Sequence, residues 1–239
     1  MRRFLVFTLV FIFPLYVFSQ TKQDFQEFSG KLILNNKAII TKYNGGLCND
    51  IIRPLGWSKK GVFAYLVTVN PGESGAGNFE NLYIIDLVTD KLLYSTKFTV
   101  KDWFDGQLTD IFKDFKKYKK ILESFEILLD SSFNMLPNPL EINNDSYFFD
   151  TENIAYGKGY YAEDRIIKYR VISKYNNMIK VISTIDRKPF MGPEIIGEFK
   201  SPYENRLCII IAEISHGWEG PPHNIFYNVV GCHLETGYY

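Results

Sequence analysis

The chain carries one long hairpin signature twice, and this duplication restricts it to folds assembled from antiparallel strand pairs. The first copy opens on Trp57-Ser58-Lys59-Lys60-Gly61, runs through an apolar stretch at 62–69, crosses a Gly-rich loop and returns through 82–87 to Thr89-Asp90-Lys91. The second opens on Lys200-Ser201-Pro202, rises through 206–211, crosses a Gly- and Pro-rich loop and returns through 224–233 to Leu234-Glu235-Thr236-Gly237. The shared order is Ser, a polar turn, an apolar strand, a loop, a second apolar strand, Leu-x-Thr, then Asp or Gly. In the first copy both strands are almost continuously apolar. A strand with one wet face alternates, so these two are expected to be covered on both faces.

Most of the remaining chain also reads as strands. Residues 31–41 form a hairpin pattern about Asn35-Asn36 and residues 166–185 another about Asn176-Asn177, because Asn tolerates the positive φ of tight hairpin turns. Strands are expected at 91–100 and 195–199, with a short one at 147–149. Loops are expected at 43–50, 131–144 (with Pro137 and Pro139) and 157–164. One amphipathic helix is expected at about 107–129, capped by Asp105 or Thr109. Leu108, Ile111, Phe115, Tyr118, Leu122, Phe125 and Leu129 fall on one stripe of it. Lys113, Lys116, Lys117, Lys119 and Lys120 lie mainly off the stripe and read as a solvated outer face. A basic surface for anionic lipid or polymer is the alternative, and Asp110, Asp114, Glu123 and Glu126 dilute it. The fold class is therefore α+β and mainly antiparallel β, with repeated long hairpins in one or two packed sheets and a single helix.

The first residues follow a different logic. Arg2 and Arg3 precede an almost wholly apolar stretch at 4–18, and Val17-Phe18-Ser19 offers residues a signal peptidase reads. Residues 1–19 are expected to be a secretory signal peptide cleaved near Ser19–Gln20, leaving 20–239 as a single β-rich domain with no transmembrane span. An uncleaved anchor helix is the alternative reading. The 239 residues carry 27 basic and 27 acidic side chains. A balance this near neutral lacks the electrostatic footprint of nucleic-acid binding. The richness in aromatic and β-branched residues suits a pleated, half-buried surface.

Two resemblances rest on the first copy. Trp57-Ser58-Lys59-Lys60-Gly61, followed by Asp86-Leu87-Val88-Thr89-Asp90-Lys91, resembles a β-propeller blade of the WD-repeat and TolB-like type. Lys60 stands where such blades carry Asp, and Asp90 where they carry Gly. A propeller needs several copies at steady spacing, so the wide separation of two copies with a helix between them argues against a closed one. Across both ends the chain resembles a set of predicted secreted bacterial proteins with no assigned activity. The matching residues are Ser58, Gly61, Ala64, Tyr65, Tyr83 and Asp86, then Ser201, Pro202, Gly217, Glu219, Gly220 and Pro221.

Three Cys in an exported chain invite one disulfide. Aligning the two copies puts Cys208 and Cys232 equidistant from a loop centre at Gly220, and directly opposed strand residues lie within disulfide reach. A Cys208–Cys232 bond is expected, against three reduced thiols or a pair involving Cys48. All three His fall in the second copy. His216, Glu219 and His223 are the only ones that can meet at a metal, since His233 lies about ten residues from the tip, roughly 30 Å along a strand. The loop from Asn70 to Glu80 has oxygen ligands but lacks calcium-loop spacing. No nucleophile elbow, zinc-protease, P-loop or dinucleotide motif occurs, and the acidic pairs Asp102/Asp105 and Asp145/Asp150 do not by themselves make a two-carboxylate site.

These readings favour a non-enzymatic envelope protein, periplasmic or secreted, that binds another protein or a surface polymer without a cofactor. Its binding loop would be His216, Trp218, Glu219 and His223. The rivals are a secreted hydrolase, glycan-directed through aromatic loops at 156–161 and 216–223, and a periplasmic module for a small ligand or metal.

Overall fold

The computed structural model describes residues 51–69, 79–99, 115–129, 136–159, 164–215 and 224–239. The expected signal segment, the expected hairpin at 31–41, Cys48, residues 70–78, Asp102 and Asp105, and the expected beginning of the helix lie outside them. Among the described residues there are twelve strands and one helix, in three antiparallel sheets rather than the one or two expected. No helix among them is long and apolar enough to cross a membrane.

The first sheet holds β1 (Ile51–Trp57), β2 (Val62–Val69), β3 (Phe79–Asp86), β4 (Lys91–Thr99) and β5 (Leu128–Leu129), in the order β4-β3-β2-β1-β5. The second is β6 (Leu140–Ile142), β7 (Asp145–Lys158), β8 (Asp164–Tyr175) and β9 (Met178–Phe190), in sequence order. The third is β10 (Gly192–Lys200), β11 (Arg206–Ser215) and β12 (Asn224–His233). The sheets do not close into a barrel or a ring of blades.

The repeated hairpin is β2–β3 in one copy and β11–β12 in the other, and its turn chemistry explains the shared residues. Ser58 is buried, and its Oγ accepts the amides of Lys60 and Val62, both at 3.1 Å. Ser201 is buried too, and its Oγ accepts the Tyr203 amide at 3.2 Å. Each hydroxyl satisfies amides that the turn leaves without a ladder partner. At the far end, Asp90 (φ 55°) and Gly237 (φ 85°) occupy the same left-handed position after Leu-x-Thr. Asp is one of the few side chains that tolerate that conformation, which is why it replaces Gly in the first copy.

The third sheet is the middle layer. Every β11 residue from Arg206 to Ile214 is buried. Cys208 and Ile210 join the core formed with Trp57, Phe63, Tyr65 and Ile85 of the first sheet. Leu207, Ile209 and Ile211 join the other core, with Phe149, Tyr169, Val171 and Ile185 of the second sheet. Alternation along one strand thus feeds two cores, and each fully buried Ile contributes about 1.5–3 kcal/mol. Continuous apolarity in the second copy has the same cause as in the first: cover on both faces.

Helix α1 spans Phe115–Ser124, so the expected helix ends a turn earlier than 129. Tyr118 and Leu122 are buried in the first core, while Lys119, Lys120 and Glu123 are exposed, which makes this a solvated outer face. Glu126 adopts φ 58°. The amides of Glu126 and Ile127 reach back to Glu123 O at 3.0 Å and Leu122 O at 2.9 Å, closing a Schellman cap. Leu128 and Leu129 then pair with Trp57 and Gly56 as a strand. Glu at a position that favours Gly is strained. Glu126→Gly is expected to stabilise the protein by up to about 1 kcal/mol in urea titrations, since the Lys60–Glu126 ion pair it removes is exposed on both sides.

The second sheet departs most from expectation. The short strand at 147–149 is the start of the 14-residue β7; within the expected loop at 131–144 Leu140–Ile142 forms β6, and β7 and β8 reach into the two ends of the loop expected at 157–164. Asn143 and Asn144, at φ 50° and 70°, turn β6 into β7 as Asn176 and Asn177, at φ 46° and 63°, turn β8 into β9.

Candidate functional site

Among the described residues the middle sheet has three strands, whereas the sheets on either side have five and four. Beside its edge strand β12, between the first sheet and β9, the edge strand of the second, lies an open cleft of about 660 Å³. One wall is the inner face of the first sheet, with Tyr65, Tyr83 and Ile85. The opposite wall is β9 from Ser183 to Arg187, and the floor is β12 from Phe226 to Val230. Successive residues of both β9 and β12 line it, so strand edges rather than faces border the space.

The two tyrosines are a cross-strand pair, stacked with ring centroids 5.2 Å apart. Burial, reinforced by the neighbouring Tyr83, holds the Tyr65 hydroxyl well above the ordinary phenol range. It is neutral and available only as a hydrogen-bonding group. On the β9 side Arg187 Nε donates to both Glu213 carboxylate oxygens, at 3.0 and 2.9 Å. Tyr169 OH donates to Glu213 Oε1 at 2.5 Å, and the Asn228 side chain bonds the same hydroxyl. Glu213 interrupts the apolar run of β11, and that lone charge was the legible signal of a polar cluster. The network fixes Arg187 and Asn228 at the cleft.

The β12 edge is guarded at two points. Gly231 N–H donates to Asp90 Oδ1 at 2.7 Å, and Val229 N–H donates to its neighbour Asn228 Oδ1 at 2.9 Å. Both amides point away from β11. Alternation turns the backbone groups of Ile225 and Tyr227 the same way. Burial pushes the Asp90 carboxyl up to about 6, against the lowering effects of the Gly231 amide and Arg206.

His216, Trp218, Glu219 and His223 lie outside the described residues. Their loop leaves from Ser215 and returns at Asn224, which face each other across β11 and β12, and Phe226 of the cleft follows two residues later. His233 sits at the opposite end of β12, where its carbonyl accepts Lys180 Nζ at 2.6 Å. Among the described residues no group of three or more His, Cys, Asp or Glu is placed to hold a metal. Tyr156 is 60% exposed on β7, and Tyr160 and Tyr161 lie outside the described residues.

The expected Cys208–Cys232 disulfide is not formed; both residues are buried thiols. Cys208 lies opposite Gly231, and Cys232 opposite Leu207. The hairpin centre falls between Glu219 and Gly220 instead of on Gly220. That half-residue shift slips the register by one, which turns the two sulfurs to opposite faces. Burial pushes the Cys232 thiol up to about 11 and raises the Cys208 thiol as well, so neither is poised as a nucleophile.

Comparison of the chain with protein-family models, with curated proteins and with solved structures gives no match.

Proposed function

We propose that this is an exported, non-enzymatic binding module that takes an extended segment of a partner protein into the cleft, as a fourth strand of the middle sheet. One observation carries the reading: among the described residues the middle sheet has fewer strands than its neighbours, and the place beside its edge strand β12 is open. An edge strand offers main-chain groups that pair with any extended chain, and side-chain pockets alongside supply selectivity. Here Tyr65 and Tyr83 flank the place on one side, Ser183 and Thr184 on the other. The Asn228 cap on Val229 is local, so an incoming carbonyl displaces it by a side-chain rotation. Asp90 closes the edge at Gly231 and sets where a ligand strand stops. Export is supported by the basic-then-apolar character of residues 1–19.

Peptides selected from a random display library against the folded protein test this reading. Bound peptides are expected to slow amide exchange along β12 near Val229, and N-methylation at alternate peptide positions is expected to abolish binding. Failure to select any binder, or protection confined to another sheet, rejects strand addition.

A further inference from the structure

A second cleft, of about 540 Å³, lies where the C-terminal turn of the repeated hairpin folds over the β6–β7 and β8–β9 turns. Its aromatic part is a fixed cluster. Tyr147 and Tyr175 face each other across β7 and β8, with centroids 4.6 Å apart and planes within 9°. Tyr238 stands edge-on to Tyr175 at 5.6 Å, and its hydroxyl is tied to Ser173 Oγ at 2.7 Å. Lys180 Nζ covers the Tyr238 ring at 5.6 Å.

Around these rings lie paired polar groups. Asn205 Nδ2 donates to Glu235 Oε1 at 2.5 Å, across the end of the β11–β12 hairpin. The Tyr175 hydroxyl bonds the Asp145 carboxylate, which holds the phenol above its ordinary value. Lys200 and Asn143 complete the rim. The fold does not need this chemistry. Asn205 and Glu235 are exposed, and the hairpin end is already closed by the Leu234 amide on Asn205 O at 2.8 Å.

We infer that this cleft is a saccharide-binding site, separate from the strand-binding cleft. A sugar ring presents neighbouring hydroxyls, each at once donor and acceptor, beside faces of C–H groups. A carboxamide next to a carboxylate meets such a diol with one donor and one acceptor, and tyrosine rings meet the C–H face. A quaternary or primary ammonium is the other ligand that tyrosines and carboxylates attract. The donors of Asn205 and Lys200 at the same rim oppose a cation and suit a polyol. Because Tyr238 and Tyr175 are held by hydrogen bonds before any ligand arrives, little ordering accompanies binding.

The probes are the methyl glycosides of glucose, galactose and N-acetylglucosamine and their short oligomers, titrated into the whole folded protein, with choline in parallel. Calorimetry and tyrosine ring-proton NMR are the readouts. At least one saccharide is expected to bind saturably and to shift the Tyr175 and Tyr238 ring signals. Asn205→Ala and Glu235→Ala are each expected to weaken it about tenfold. Asn81→Ala, in the other cleft, is expected to leave it unchanged. The ring shifts need no variant, so a misfolded mutant does not decide the result. Absence of saturable binding up to about 10 mM, indifference to both variants, or preferential binding of choline overturns the assignment. A site confirmed here stands whether or not peptides add to β12.

Discussion

Gly231→Ala is expected to remove a large share of the protein's stability. A Cβ built on Gly231 lies 1.9 Å from Leu87 O and 2.7 Å from Leu87 C, both backbone atoms. Leu87 cannot retreat. Its side chain is 1% exposed, its amide donates to Gly61 O at 3.0 Å, and its carbonyl accepts Arg206 Nη1 at 3.0 Å. Room for one methyl therefore has to come from lifting the β3–β4 turn off β12, which also breaks the Asp90–Gly231 bond. Overpacking usually costs about 1–3 kcal/mol, and with the lost polar contacts the total is expected to reach roughly 4 kcal/mol or more. That is a large share of the roughly 5–15 kcal/mol typical of a domain. Urea unfolding measures it, and Gly192→Ala is the control. Its Cβ meets nothing closer than Ile166 Cδ1 at 3.8 Å, so a change within about 1 kcal/mol is expected. Equal midpoints for the two variants contradict the docking of the sheets described above.

The second large effect belongs to Glu198→Gln and appears only with pH. Glu198 is 2% exposed on β10, and its Oε1 has no hydrogen-bond partner among the described residues. Burial pushes its carboxyl from 4.5 up to about 7. The unfolded chain thus releases this proton at lower pH than the folded one. Folding stability is full below about pH 4.5, falls as pH rises through 7, and levels off above it. The fall amounts to about 3 kcal/mol for a group this buried. Asp90, raised to about 6, adds a smaller loss of the same sign. Glu198→Gln has no proton to lose, so its stability at pH 8.5 is expected to exceed that of the parent while matching it near pH 4.5. Parallel pH profiles for the two proteins reject the assignment to Glu198.

Local chemistry was legible in the sequence where it is self-contained. The Ser58 and Ser201 turns, the Asn176-Asn177 hairpin and the equivalence of Asp90 with Gly237 each rest on a few adjacent residues. The same rule at Asn143-Asn144 reaches one more hairpin, hidden between prolines and a polar stretch. β7 was opaque because Asp150, Glu152 and Asn153 resemble a turn, and a bulge between Asn153 and Ala155 breaks the alternation. There β8 supplies the pairing that propensity alone withholds. The end of the helix depended on Leu128 and Leu129 finding β1, a contact more than seventy residues away in sequence. Neither cleft has a motif, since each is assembled from the ends and edges of separate sheets. Only Glu213, a charge inside an apolar run, is a sequence signal for the first, and no expectation drawn from the sequence made use of it.

The two-faced burial of β11 also bears on the order in which the chain can acquire its structure. During synthesis the strands of both outer sheets emerge first; among the described residues only helix α1 and the segment after it pack against the first sheet before β10 appears. Their common lining arrives with β10, β11 and β12, at the end of the described sequence. Neither half has a complete interior of its own, so neither can act as an early, independently folding unit. The contacts that close both interiors span long stretches of chain, the kind that form slowly. The nascent protein is consequently committed late and all at once. Until β11 and β12 appear, both outer sheets keep apolar surface that only the third sheet covers.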